Sequence, residues 1–327
     1  MLRSLAVALL ITFPALADMT LRYTMEVKPG PSMPPQAVDQ MKSALGTMMD
    51  KGIIYCFKEN GASYTKFGPT IQIFDPTTRM NITILAEKKV YSQGEAGKQD
   101  AMNSDAMAQL KKMTDNGGFK VTTESSGRTR TIGGFEAEEK LITMEMSLQG
   151  SVPPDQAAQM PPSMKMKMSM WYPTANENNT KPILKKYREL AQMGMLANNP
   201  MEQIGKMFAG SPQAAAELQN LTQDSMRGGV MLGLEYSMIM PGMAKRMAAM
   251  LGRKPEEVDD NEPLMTMVLS LKEFSEGEVQ EDLFKIPEGF KEVKMDEMSK
   301  LMMEVYQPKK PDQQKPSDDE KKDEKKQ

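Results

Sequence analysis

Thioether sulfur is a soft donor, and the stretch SMKMKMSMWYP carries four of them at alternate positions: Met164, Met166, Met168 and Met170. This spacing fits two chemistries. One is a ladder of ligands for Cu(I). The other is the apolar face of a β-strand, because successive strand side chains point to opposite sides. In that strand the methionines line one side, and Lys165, Lys167, Ser169 and Trp171 line the other. Residues two apart lie roughly 7 Å apart along a strand. One strand therefore cannot bring three sulfurs to one ion, and neighbouring strands would have to supply the rest. The chain has no His, the commonest metal ligand and general base. Its 35 Met are spread along the whole sequence, whereas a metal site would concentrate them. The ladder is read as a sheet face, and no metal ligands are assigned.

The same alternation recurs elsewhere. Leu232, Leu234, Tyr236, Met238 and Met240 share one parity, as do Met265, Met267 and Leu269, and Met144 and Met146 repeat it. Together with the four ladder methionines, the residues from 232 to 240 and from 265 to 269 form the candidate surface for a hydrophobic ligand. A flexible Met lining tolerates varied apolar chains. No catalytic set is predicted. Ser, Asp and Glu stand in no nucleophile elbow, and Asp259-Asp260-Asn261-Glu262 lacks calcium-loop spacing. No cofactor is expected. The single Cys56, in GIIYCFK, excludes an intrachain disulfide and reads as a small buried hydrophobe.

These residues need a sheet to position them. MTLRYTMEV alternates cleanly, with Leu21, Tyr23, Met25 and Val27 on one side. GIIYCFK and ASYTKFG flank Asn60-Gly61, a hairpin turn signal. TIQIF and MNITILAEKKVYS flank the turn DPTTR. FKVTTES, RTRTI and FEAEEKLITMEMSL are strands, the last two joined at Gly133-Gly134. GVMLGLEYSMIM and PLMTMVLSLKEF add two more, and LFKIPEGFKEV is expected to close the sheet. Helices are expected over 35–50, over 104–117, around Met243, Met247 and Met250, and from Met295 to Met303. TANENNT reads as a loop. It leads into a helical insertion at about 181–227, with starts at Asn199-Pro200 and Ser211-Pro212.

The ends of the chain have their own signals. Arg3, the apolar run Leu5–Phe13 and Ala15-Leu16-Ala17 predict a signal peptide over 1–17, cleaved near Ala17. The mature protein is then expected in the periplasm or secreted. No later run reaches the roughly 20 apolar residues of a membrane-spanning helix. Residues 304–327 are polar and charge-mixed, and are expected to be a disordered tail. A net charge of −3 with no basic stripe argues against a nucleic-acid partner. No protein partner is assigned.

Four segments in order, ADMTLRYTMEV, FGPTIQIFDPTTRMNITILAEKKVYS, RTRTIGGFEAEEKLI and LFKIPEGFKEV, carry a resemblance. Their arrangement is similar to a bacterial secreted family of unknown function allied to the outer-membrane lipoprotein carrier (LolA-like) fold. It covers roughly 18–150 and 228–293, with 175–227 extra. The resemblance implies an α+β domain over 18–303. Its core would be a curved antiparallel sheet, an incomplete β-barrel, with helices packed on its concave side. In lipoprotein carriers that cavity holds acyl chains. The function expected first is non-enzymatic binding of a lipid or acyl chain. The alternatives are a structural or protein-interaction module of the cell envelope and, third, Cu(I) or oxidant buffering by methionine.

Overall fold

The computed structural model describes residues 18–39, 52–96, 119–147, 161, 163–195 and 229–306. The expected signal peptide, most of the helix at 35–50, the helix at 104–117, the insertion beyond 195 and nearly all of the tail lie outside them.

Among the described residues, twelve strands form one sheet. They are β1 (Met19–Pro29), β2 (Ile53–Phe57), β3 (Ser63–Phe67), β4 (Thr70–Asp75), β5 (Met80–Leu85) and β6 (Val90–Glu95), then β7 (Phe119–Ile132), β8 (Phe135–Ser147), β9 (Ser163–Pro173), β10 (Gly233–Ile239), β11 (Met265–Glu276) and β12 (Lys291–Glu292). The spatial order is β12-β6-β5-β4-β3-β2-β1-β11-β10-β9-β8-β7. Neighbours are antiparallel except β12, which runs parallel to β6. The outermost strands, β12 and β7, do not pair, so the sheet is unclosed.

The sheet is nonetheless strongly curved. Arg130 on β7 reaches Glu235 on β10, Nη1 to Oε1 at 2.6 Å. Three strand spacings separate these strands, about 14 Å in a flat sheet, so this end is rolled toward the Arg130 side. Register shifts in β7 between Ser125 and Thr129, and in β1 between Arg22 and Tyr23, supply bends. The β7–β8 turn needs left-handed backbone at both Gly133 (φ 58) and Gly134 (φ 85). Gly133 also sits so close to Leu271 that a Cβ would lie 3.1 Å from its Cδ2.

β1 alternates as predicted, with Leu21, Tyr23, Met25 and Val27 buried and Arg22, Thr24 and Glu26 exposed. Its buried face is continuous across the first half of the sheet through the partners Tyr23, Ile53, Phe67, Thr70, Leu85 and Val90. Two helices pack there. In α2 (Pro182–Met195), Leu184, Tyr187 and Leu190 join the core of Met19, Leu21 and Tyr23. Tyr187 stands edge-on to Phe57 and Phe274, at 5.7 and 5.9 Å between ring centres. In α4 (Met295–Tyr306), the fully buried Met298 meets Leu85 and Val90, and Tyr306 shares a 2.7 Å hydrogen bond with Thr70. On the other side of β2–β5, Cys56, Tyr64, Ile73 and Ile84 pack under Val279, Leu283, Phe284 and Phe290. Burial pushes the Cys56 thiol up, which suits the structural role read for it.

Three expectations change. TANENNT is not a loop: α1 (Ala175–Thr180) forms there, capped by Thr174 Oγ1, which accepts from Glu177 N at 3.3 Å. MNITILAEKKVYS is not one strand. A turn at Ala86–Lys88, with Lys89 left-handed at φ 50, divides β5 from β6. LFKIPEGFKEV does not close the sheet. It makes a short turn at Glu281–Phe284 and then the two-residue edge strand β12. The preceding residues are held by Asp18, which accepts from Val279 N at 3.0 Å and from Glu59 N at 3.2 Å. Lys58 also pairs with Glu281 beside them.

Candidate functional site

Directly opposed residues in antiparallel strands put their side chains on the same face. The pairing of β8–β11 therefore decides whether the methionine-bearing strands share a surface, and they do. One transverse row runs Met144, Met166, Met238 and Met265, from β8 to β11. The next runs Ile142, Met168, Tyr236 and Met267, ending at Val27 on β1. The third runs Lys140, Met170, Leu234 and Leu269, ending at Met25. On the far side of the first row, Met146 faces Met164.

Burial gives this face its relief. Ile142 and Met146 are buried on the β8 flank, and Met25 and Val27 on the β1 flank. Between them Met164, Met166, Met168, Met170, Leu234, Tyr236, Met238, Met265 and Met267 are half-buried. The result is a band three strands wide, about 10 Å, with apolar sides. Leu269 lies at its buried margin. Leu232, just before β10, is fully buried in the core beneath α2, with Tyr172 buried nearby on β9. Met170 is partly engaged, since Tyr172 Oη donates to its sulfur at 3.8 Å.

Met240 does not belong to the band. It lies beyond the end of β10 and packs with Met243 and Met247 of α3 (Met243–Met250) around Ala244, Ala248, Val258 and Leu264. Met250, on the same helix, is 84% exposed.

Trp171, on the side of β9 opposite the methionines with Lys165 and Lys167, is only 4% exposed. Arg130 stacks on its ring at 4.0 Å and Arg128 lies at 5.9 Å. Arg128 also grips Glu139 with two guanidinium nitrogens. The Glu139 side chain is fully buried. Burial alone would raise the Glu139 pKa. Hydrogen bonds from Arg128, Ser126 and Ser169 and the Arg128 charge outweigh that, and the pKa is lowered. This cluster backs the band from the other side of β9. Its signal in the sequence was the alternation RTRTI after Gly127, but nothing local names Trp171 as the partner.

Among the described residues no three His, Cys, Asp or Glu side chains gather in a way that could hold a metal ion. No described helix is long and apolar enough to cross a membrane.

No protein-family model matches the chain, and no curated protein matches it. Among solved structures it is similar to that of PNGF-II in a C2 crystal, at 8% identity and a TM-score of 0.31. The match covers 89% of this chain and 33% of the other, so this chain spans about a third of its length.

Proposed function

We propose that the protein is a non-enzymatic binder of an acyl chain or lipid, held along the half-buried band on β9–β11. The observation that carries the reading is the register. It gathers Met168, Tyr236 and Met267, with their neighbours, into one apolar band whose flanks are buried. Binding surfaces for apolar ligands are predominantly apolar with few polar groups. Unbranched thioether side chains conform to varied chains at small cost. The reading includes export after cleavage near Ala17 and a half-barrel related to the lipoprotein carrier fold.

The test is native mass spectrometry of protein purified without detergent, paired with titration of a fluorescent fatty acid. The expected result is a bound lipid mass and saturable probe binding. Met168→Asp places a charge in the centre of the band and should weaken the probe at least about tenfold, or 1.4 kcal/mol. A clean unliganded mass together with no probe binding would refute the proposal.

A further inference from the structure

We infer that the row Met144, Met166, Met238 and Met265 is a thioether site for a soft monovalent cation, Cu(I). A single strand spaces its alternate sulfurs too widely to share an ion. The sheet removes that obstacle by placing one methionine from each of four adjacent strands in register. Directly opposed Cβ atoms lie roughly 5 Å apart. Three rotatable bonds let each side chain swing its sulfur toward a common point between strands. Three convergent thioethers complete a trigonal Cu(I) site with no other donor.

The surroundings fit that ion and disfavour others. All four methionines are half-buried, so an ion can reach them and a single positive charge stays partly solvated. Hard cations need oxygen ligands, and Zn(II) is held by thiolate, imidazole or carboxylate. The facing side chains along the row are thioethers, continued by Val121 on β7 and Pro29 on β1. Soft donors of this type select Cu(I). Five other methionines differ in setting. Met170 already receives the Tyr172 hydroxyl, Met19 and Met298 are fully buried, and Met250 and Met303 stand exposed on helices. The site shares the band proposed for acyl binding but does not depend on that binding.

The experiment is an anaerobic competition titration of the full-length protein against a chromophoric Cu(I) chelator, with Zn(II) as the contrasting ion. Wild-type protein should withdraw Cu(I) stoichiometrically and leave Zn(II) in solution. Met166→Leu combined with Met238→Leu keeps apolar volume and removes two sulfurs. Cu(I) affinity should fall at least about tenfold, or 1.4 kcal/mol. Met250→Leu combined with Met303→Leu, which lies outside the band, should leave Cu(I) affinity unchanged. Absence of stoichiometric Cu(I) uptake by the wild type overturns the inference. So does a row variant that binds Cu(I) as tightly as wild type. If the double variant does not fold, the two single variants are tested alike, and wild-type affinity in both also overturns it. Cu(I) uptake without any fatty-acid binding would sink the acyl proposal and leave this one standing.

Discussion

Leu232 and Met238 belong to the same segment, yet Leu232 is fully buried and Met238 only half-buried. Around Leu232 the fold uses residues of defined shape: Tyr23, Leu271 and Trp171 from the sheet, and Leu184, Tyr187 and Leu190 from α2. Tyr23 Oη also donates to Met231 O at 2.7 Å, which fixes the seam. Around Met238 the neighbours are Met166 and Met265. Leucine and the aromatics specify one packing, whereas methionine accepts many. The sealed end thus carries the uniqueness of the fold, and the methionine end is free to accommodate something else.

The sharpest way to break that comparison is truncation at both ends. Leu232→Ala should cost about 2–5 kcal/mol, because a sealed core cannot collapse around the cavity. Met238→Ala should cost about 1 kcal/mol, since much of that side chain is already solvated. Urea unfolding of both variants decides it, and equal costs would mean the two ends are one core.

The next effect lies behind the band. Arg128→Ala leaves the Glu139 carboxylate buried without its partner and should lower the urea midpoint. Arg128→Met combined with Glu139→Gln should recover part of that loss, because no unpaired charge remains. The same pair gives a pH dependence. The Glu139 pKa is lowered in the folded state. Its contribution is therefore complete above the ordinary Glu value of about 4.3 and drains away as pH falls through the lowered folded value. Glu139→Gln should flatten the stability profile in that acid window and leave its shape near pH 7 unchanged. An unaltered acid limb in thermal melts would show that Glu139 is not a stabilising carboxylate.

Local patterns made much of this legible. Period-two alternation marked β1 and the Met–Lys strand β9, because one strand face is apolar in each. Asn60-Gly61 marked its hairpin correctly, with Gly61 at φ 86 and Asn60 Oδ1 accepting from Ala62 N. The missed helix at Ala175–Thr180 had a local signal, Thr174 capping Glu177 N, that its asparagines masked. Asn178 Nδ2 donates to Pro173 O, and Arg188 donates to Asn178 O, so asparagines that favour turns are held helical by bonds to neighbouring segments. The break at Lys89 carries no glycine to announce it. The row from Met144 to Met265 spans strands far apart in sequence, and register between such strands is set by the whole sheet. Parity alone could group these residues on a face, but it could not say which stand side by side. It also could not reveal that Met240 leaves the strand before the row is complete.

The smallest effects sharpen the comparison through chemistry rather than stability. A brief peroxide pulse oxidises methionine in order of access to its sulfur. Met250 at 84% exposure and Met303 at 61% should react first, and their oxidation should shift stability by no more than about 0.5 kcal/mol. Met166, Met238 and Met265 should follow, and Met19 and Met298, at 0% exposure, should react last. Peptide mass spectrometry reads the order. Prior loading with the fatty acid should slow only the middle group, since the ligand covers the band and leaves the helix surfaces open. If oxidation of Met166 and Met238 is as slow as that of Met298 in the unliganded protein, the band is sealed in solution, and the distinction between the two ends of the segment fails.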